Sequence, residues 1–177
     1  MRKSDFPPAL ATGALVMVIG GIAFSAQDRA ALKVPGGLSF AEFKGYQDWA
    51  VVAPSQVPDG IKIIAANDVM IRAYRAGLPA SGKTFPEGSN VVKIEWAQKP
   101  NPVSPYPVTV PTQLMSVSFI EKDSKRFPKT HGWAYAQFLY DPASRTLKPG
   151  GSGAECGYAC HTRVAADDYI FTAYPPR

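Results

Sequence analysis

β-Branched or aromatic residues recur at a period of two along four otherwise mixed apolar and polar stretches of the chain, Val91 to Trp96, Leu114 to Ile120, Trp133 to Tyr140 and Tyr169 to Tyr174. A period of two with that composition predicts strands, because successive side chains of an extended backbone point to opposite faces. Helical spacing replaces it in two places. Ser39 carries a hydroxyl suited to capping a helix that runs through Trp49, with Tyr46 and Trp49 three apart on one face. Asn67 caps a second helix reaching Ala76, in which Met70, Ala73 and Tyr74 form the apolar side and Gly77 is the stop. Between the first two strands lie Pro100, Pro102, Pro105 and Pro107, which remove backbone donors and hold residues 99–107 as a rigid connector. The pattern as a whole predicts an α+β fold, mainly antiparallel sheet with a few helices.

Upstream, Arg2 and Lys3 precede an apolar run from Ala9 to Phe24 that ends in small residues, with Ala23 and Ser25 placed for cleavage after Ser25. Residues 1–25 therefore read as a signal peptide, or, if retained, as a membrane anchor. Residues 26–38 are polar and glycine-containing and read as a linker, leaving 39–177 as one domain with an interior able to enclose a cofactor. The full chain has a formal net charge of +5, and loss of Arg2, Lys3 and Asp5 brings it to +4. Lysines and arginines are scattered, so no stripe argues for nucleic acid.

Both cysteines lie in one hexapeptide, Cys156-Gly157-Tyr158-Ala159-Cys160-His161, and one of the two histidines directly follows the second thiol. Two thiols with an adjacent imidazole are the apparatus for covalent haem attachment: the sulfurs add to the porphyrin vinyl groups and the histidine binds the iron. The usual spacer is two residues and this one is three. On a helix, positions i and i+4 still share a side, so Cys156 and Cys160 can face one porphyrin edge. A local disulfide, or a pair of free thiols with His161 as a surface residue, needs no cofactor and is the competing reading. His131 follows a proline-containing basic segment and precedes Gly132, which makes it a turn residue outside the site.

In order along the chain stand Phe85-Pro86-Glu87-Gly88-Ser89-Asn90-Val91-Val92-Lys93, then Lys122-Asp123-Ser124-Lys125-Arg126-Phe127, then Gly132-Trp133-Ala134, then the Cys-His cluster, then Asp168-Tyr169-Ile170-Phe171-Thr172. That succession resembles the cytochrome P-460 family, periplasmic c-type haem proteins related to the cytochromes c′-β. The resemblance implies a sheet with a few helices around one c-type haem, thioethers from Cys156 and Cys160, and His161 as axial iron ligand. It also implies that Lys93 matches the lysine bonded to the porphyrin edge in hydroxylamine-oxidising members. In those members hydroxylamine is oxidised at the iron with nitric oxide as co-reactant and nitrous oxide as product. The partners implied are a small nitrogen-oxide ligand or substrate, a redox protein, and a second copy in a homodimer, all in the periplasm. Members without the lysine bond bind gases or carry electrons.

Alternation sets Lys93 and Glu95 on one face of their strand and Val92, Ile94 and Trp96 on the other, so read from the residues Lys93 is equally a solvated lysine paired with Glu95. Phe119, Trp133, Tyr135 and Phe138 either wall a haem or fill a core. Lys122 to Arg126 reads as a solvated turn or short helix of structural role. The segment before the cysteines offers only Glu155 as a carboxylate.

Overall fold

The computed structural model describes residues 27–79, 82–150 and 153–177, so the signal or anchor expected over 1–25 lies outside the described residues. Six antiparallel strands form one sheet in sequence order: β1 Ala50–Val57, β2 Gly60–Ala66, β3 Asn90–Pro100, β4 Thr109–Lys122, β5 Trp133–Asp141 and β6 Thr146–Gly150. Helix α1, Asp68–Arg75, connects β2 to β3, and helix α2, Gly153–His161, follows β6. The expected class, α+β with mainly antiparallel sheet, is the observed one.

Because side chains alternate, the sheet carries two cores. On one face Val92, Val117, Phe119, Ala136 and Phe138 meet Phe40, Phe43 and Tyr46 from short 3-10 turns. Phe43 stacks on Phe119 at 4.1 Å between ring centroids. On the other face Ile64, Ala66, Val91, Trp133 and Tyr135 meet α1 through Met70, Ile71, Ala73 and Tyr74. The four aromatics that could wall a haem or fill a core thus divide, with Phe119 and Phe138 filling the first core and Trp133 and Tyr135 facing the second.

Helix α1 forms where capping chemistry dictates. Asn67 Oδ1 accepts hydrogen bonds from the backbone N–H of Met70 at 3.1 Å and of Asn90 at 3.2 Å, while its amide donates to Gly88 O at 2.8 Å. At the other end the N–H of Gly77 bonds Tyr74 O and that of Leu78 bonds Ala73 O, which satisfies two carbonyls the helix itself cannot. Since Asn67 caps α1 and ties it to the start of β3, Asn67→Ala is expected to lower unfolding free energy by about 1–2 kcal/mol, read by chemical denaturation.

Four expectations are corrected. The helix expected from Ser39 to Trp49 is two 3-10 turns, Phe40–Phe43 and Tyr46–Asp48, separated by Gly45 at φ 82°. Residues 27–38 of the expected linker are part of the fold: Val34 and Leu38 are fully buried, and the Gln27 amide bonds both N–H and C=O of Leu147, covering the β6 edge. Glycine content suggested a tether, but a tight turn between two buried residues is what it serves. Tyr169 to Tyr174 is not a strand. Asp168 and Tyr169 are left-handed, at φ 49° and 64°, and residues 170–174 then run over α1 without a pairing strand. Tyr74 Oη donates to Thr172 O at 2.7 Å and the Tyr74 ring stacks on Tyr174, so the alternation there records packing on a helix. Lys122, finally, is buried and paired with Asp168 at 3.0 Å, whereas Arg126 stays at the surface with Glu42 and Glu121.

Candidate functional site

The sheet face that carries Tyr135 does not close completely. Pairing aligns Ile64 with Lys93, Lys93 with Ser118, Ser118 with Gln137 and Gln137 with Gly150, a row of side chains crossing five strands on one face. This row forms one wall of a cavity of about 740 Å³ whose opposite walls come from α2 and residues 170–173. Cys156, Cys160, His161 and Lys93 all line it. Residues far apart in the chain thus converge on one space of the size range that encloses small cofactors.

Helix α2 is pressed against β5. A Cβ at Gly157 would lie 2.5 Å from Tyr135 Cγ, so only glycine allows this approach. One turn later on the same side, His161 packs its ring 4.6 Å from that of Tyr135 and edge-on at 4.8 Å to Phe171. Cys156 and Cys160, also one turn apart, are both free and exposed. They are not joined to each other, which leaves both sulfurs available to the cavity they line.

His161 is held for ligation. Its Nδ1 lies 2.5 Å from Tyr169 O, and since a carbonyl can only accept, Nδ1 carries the proton and Nε2 keeps its lone pair. Burial pushes the imidazole pKa below its ordinary value, the Tyr169 bond opposes that, and the nearby Lys93 charge adds to it. A neutral ring is the form that binds a metal. Among the described residues, no second histidine and no methionine lines the cavity.

Lys93 points along the same wall, with its side chain 35% exposed and Nζ 3.5 Å from Glu95 Oε2. Glu95 also takes Lys62 at 3.4 Å and the Ser116 hydroxyl at 3.4 Å. The pairing with Glu95 is the one strand alternation suggested. Glu155 is exposed and absent from the lining, and His131 sits in a left-handed turn, stacked 5.0 Å from Tyr169, outside the cavity.

Sequence reasoning missed Ser118, Gln137, the close approach at Gly157 and the Tyr169 carbonyl. Gln137 carried a signal, as a polar residue in the otherwise apolar run Trp133 to Leu139, where burial without a purpose is costly. Gly157 and Tyr169 act through backbone proximity, which leaves no such mark.

The two thiols, the neutral imidazole and the enclosed apolar walls form a donor set that fits a haem. The family model described as Cytochrome P460 matches residues 43–172, most of the chain. No curated protein matches it.

Proposed function

The chain belongs to the cytochrome P460 family, whose members bind haem iron, and from that premise we propose that it is an exported mono-haem c-type cytochrome that oxidises hydroxylamine with nitric oxide. One observation carries the reading: Cys156, Cys160, His161 and Lys93 share a single cavity that, among the described residues, is lined by no second imidazole or thioether to occupy the remaining iron position. Cys156 and Cys160 would hold the porphyrin by thioethers and His161 would bind the iron through Nε2. When bound, the haem supplies an iron that accepts an electron from the substrate.

The protein's own groups do the rest. The Tyr169 carbonyl holds the Nδ1 proton and fixes the ring plane of His161. Tyr135 and Ile170, both buried, exclude water from that side, and the half-exposed Phe171 packs edge-on against the ring. Lys93, Ser118 and Gln137 place an amine, a hydroxyl and an amide on the wall across the sheet, donors suited to orienting a small N–O group. Joining hydroxylamine and nitric oxide into nitrous oxide and water releases one proton and one electron, so turnover also needs a redox protein to take the electron. The apolar run over residues 9–24 supports export to the periplasm.

A second reading, a gas-binding or electron-carrying cytochrome without a lysine bond to the porphyrin, is favoured by the pairing of Lys93 with Glu95, which the amine must give up before its nitrogen can bond carbon. The optical spectrum of the reduced protein, matured in a host that attaches haem c, separates the two. The hydroxylamine reading expects a strongly red-shifted main band that Lys93→Ala abolishes. An ordinary c-type spectrum unaffected by Lys93→Ala gives the second reading, and colourless protein refutes both.

A further inference from the structure

Asp168 stands outside the cavity, yet the segment it anchors reaches the proposed iron ligand. Its carboxylate side chain is 3% exposed and takes donors from three separate parts of the chain. The backbone N–H of Phe85 donates to Oδ2 at 2.8 Å, the indole Nε1–H of Trp133 to Oδ1 at 3.1 Å, and Lys122 Nζ to Oδ1 at 3.0 Å. Lys122 is itself committed, donating to His131 O at 3.1 Å and lying 4.7 Å from the Trp133 ring centroid. A buried ion pair is a weak source of stability by itself, because desolvating both charges offsets their attraction. What this one fixes is direction.

Asp168 and Tyr169 are consecutive non-glycine residues in the left-handed region, at φ 49° and 64°. Such a pair persists only where its surroundings over-determine it. The carboxylate hub does so on one side, and the N–H groups of Asp168 and Tyr169, bonded to Ala165 O and Val164 O, do so on the other. The outcome of that reversal is that the Tyr169 carbonyl turns back onto His161 Nδ1 at 2.5 Å.

We propose that Asp168 is a positioning residue for the axial histidine: through Phe85, Lys122 and Trp133 it locks the Asp168-Tyr169 turn, so that the Tyr169 carbonyl holds the His161 Nδ1 proton and sets how strongly the imidazole donates to iron. The assignment rests on the proposed ligation of haem iron by His161. A firmer Nδ1–H···O bond makes the ring a better donor, which strengthens the iron–nitrogen bond and favours the ferric state.

The test uses the full haem-loaded chain as wild type, Asp168→Asn, Trp133→Phe and, as a control, Asn67→Ala. Two quantities are read: the iron–histidine stretching frequency of the ferrous protein by resonance Raman, and the ferric/ferrous midpoint potential. Asp168→Asn is expected to lower the stretching frequency and raise the potential. Trp133→Phe, which removes one donor and keeps the carboxylate, is expected to shift both in the same directions by less. Asn67→Ala destabilises the fold elsewhere and is expected to move neither. A merely structural role for Asp168 would give shifts in all three variants or in none, and either result overturns the assignment. Should Asp168→Asn fail to fold, Trp133→Phe decides, an unchanged spectrum and potential counting against the proposal. Wild-type protein with haem but no iron–histidine band refutes ligation by His161 itself, a failure distinct from a normal band that Asp168→Asn and Trp133→Phe leave in place.

Discussion

Cys160→Ser is expected to lose most of the covalently attached haem, Cys156→Ser to retain it through one thioether, and the double substitution to leave a chain with the mass of bare polypeptide. The order follows from α2. Both thiols are one turn apart and line the same cavity, so either sulfur can reach a porphyrin edge there. Cys160 differs in being directly bonded to the histidine that would bind the metal. Attachment at Cys160 therefore holds the porphyrin where His161 can ligate it, whereas attachment at Cys156 alone leaves four residues of helix between sulfur and ligand, a longer and less exact tether. Intact-mass measurement on protein from a host with cytochrome c maturation reads the result directly, since each retained haem adds the whole porphyrin mass. A wild-type chain lighter than the bare polypeptide by two hydrogens would mean that the sulfurs have joined each other, and the cofactor assignment would fall with it.

How far such a site can be read from sequence depends on whether a residue acts by its identity or by its neighbours. Strands β3, β4 and β5 were legible because β-branched and aromatic residues recur at a period of two through their buried parts, and α1 because Asn67 and Gly77 carry the chemistry of its ends. β2 and the two outer strands were not. β1 buries only Val52 and contains Pro54, β6 contains Pro149, and proline in a strand is tolerated at an edge because the missing N–H faces no partner. Lys122 misled for a related reason: nothing in a charge run shows that one member will meet a buried carboxylate 46 residues later. In the site, the cysteine spacing and His161 announced themselves, while the carbonyl that orients His161 is a backbone atom whose position depends on a left-handed turn. Local patterns carry the elements; the turn arises from contacts among Phe85, Lys122, Trp133 and Asp168 that no local pattern contains.

Gly157→Ala is expected to destabilise the protein and displace the histidine, against the sign that helix propensity alone would give. In a free helix alanine is better than glycine by about 1 kcal/mol. Here the new methyl would meet the Cβ of Tyr135 and stand 2.5 Å from its Cγ, and neither atom can move away. Tyr135 is buried and its backbone is paired with Ile120 in the ladder between β5 and β4. The strain falls on α2, which must lift from the sheet. Overpacking costs about 1–3 kcal/mol, and with both atoms held in place the upper part of that range, about 2–3 kcal/mol, applies, so it outweighs the propensity gain and leaves a net loss of about 1–2 kcal/mol, or roughly 2–8 °C in Tm for a domain of this size. The consequence for the site is larger than the loss in stability, because α2 carries Cys156, Cys160 and His161 together and the 2.5 Å bond from His161 Nδ1 to Tyr169 O has no slack. Thermal unfolding and the iron–histidine band of the haem-loaded variant are the measurements, with Ala159→Gly on the exposed side of α2 as the counterpart that loses propensity without touching Tyr135. A Gly157→Ala protein more stable than wild type, with its iron–histidine band unmoved, would show that the helix does not bear on β5 and that the histidine is positioned by something other than this contact.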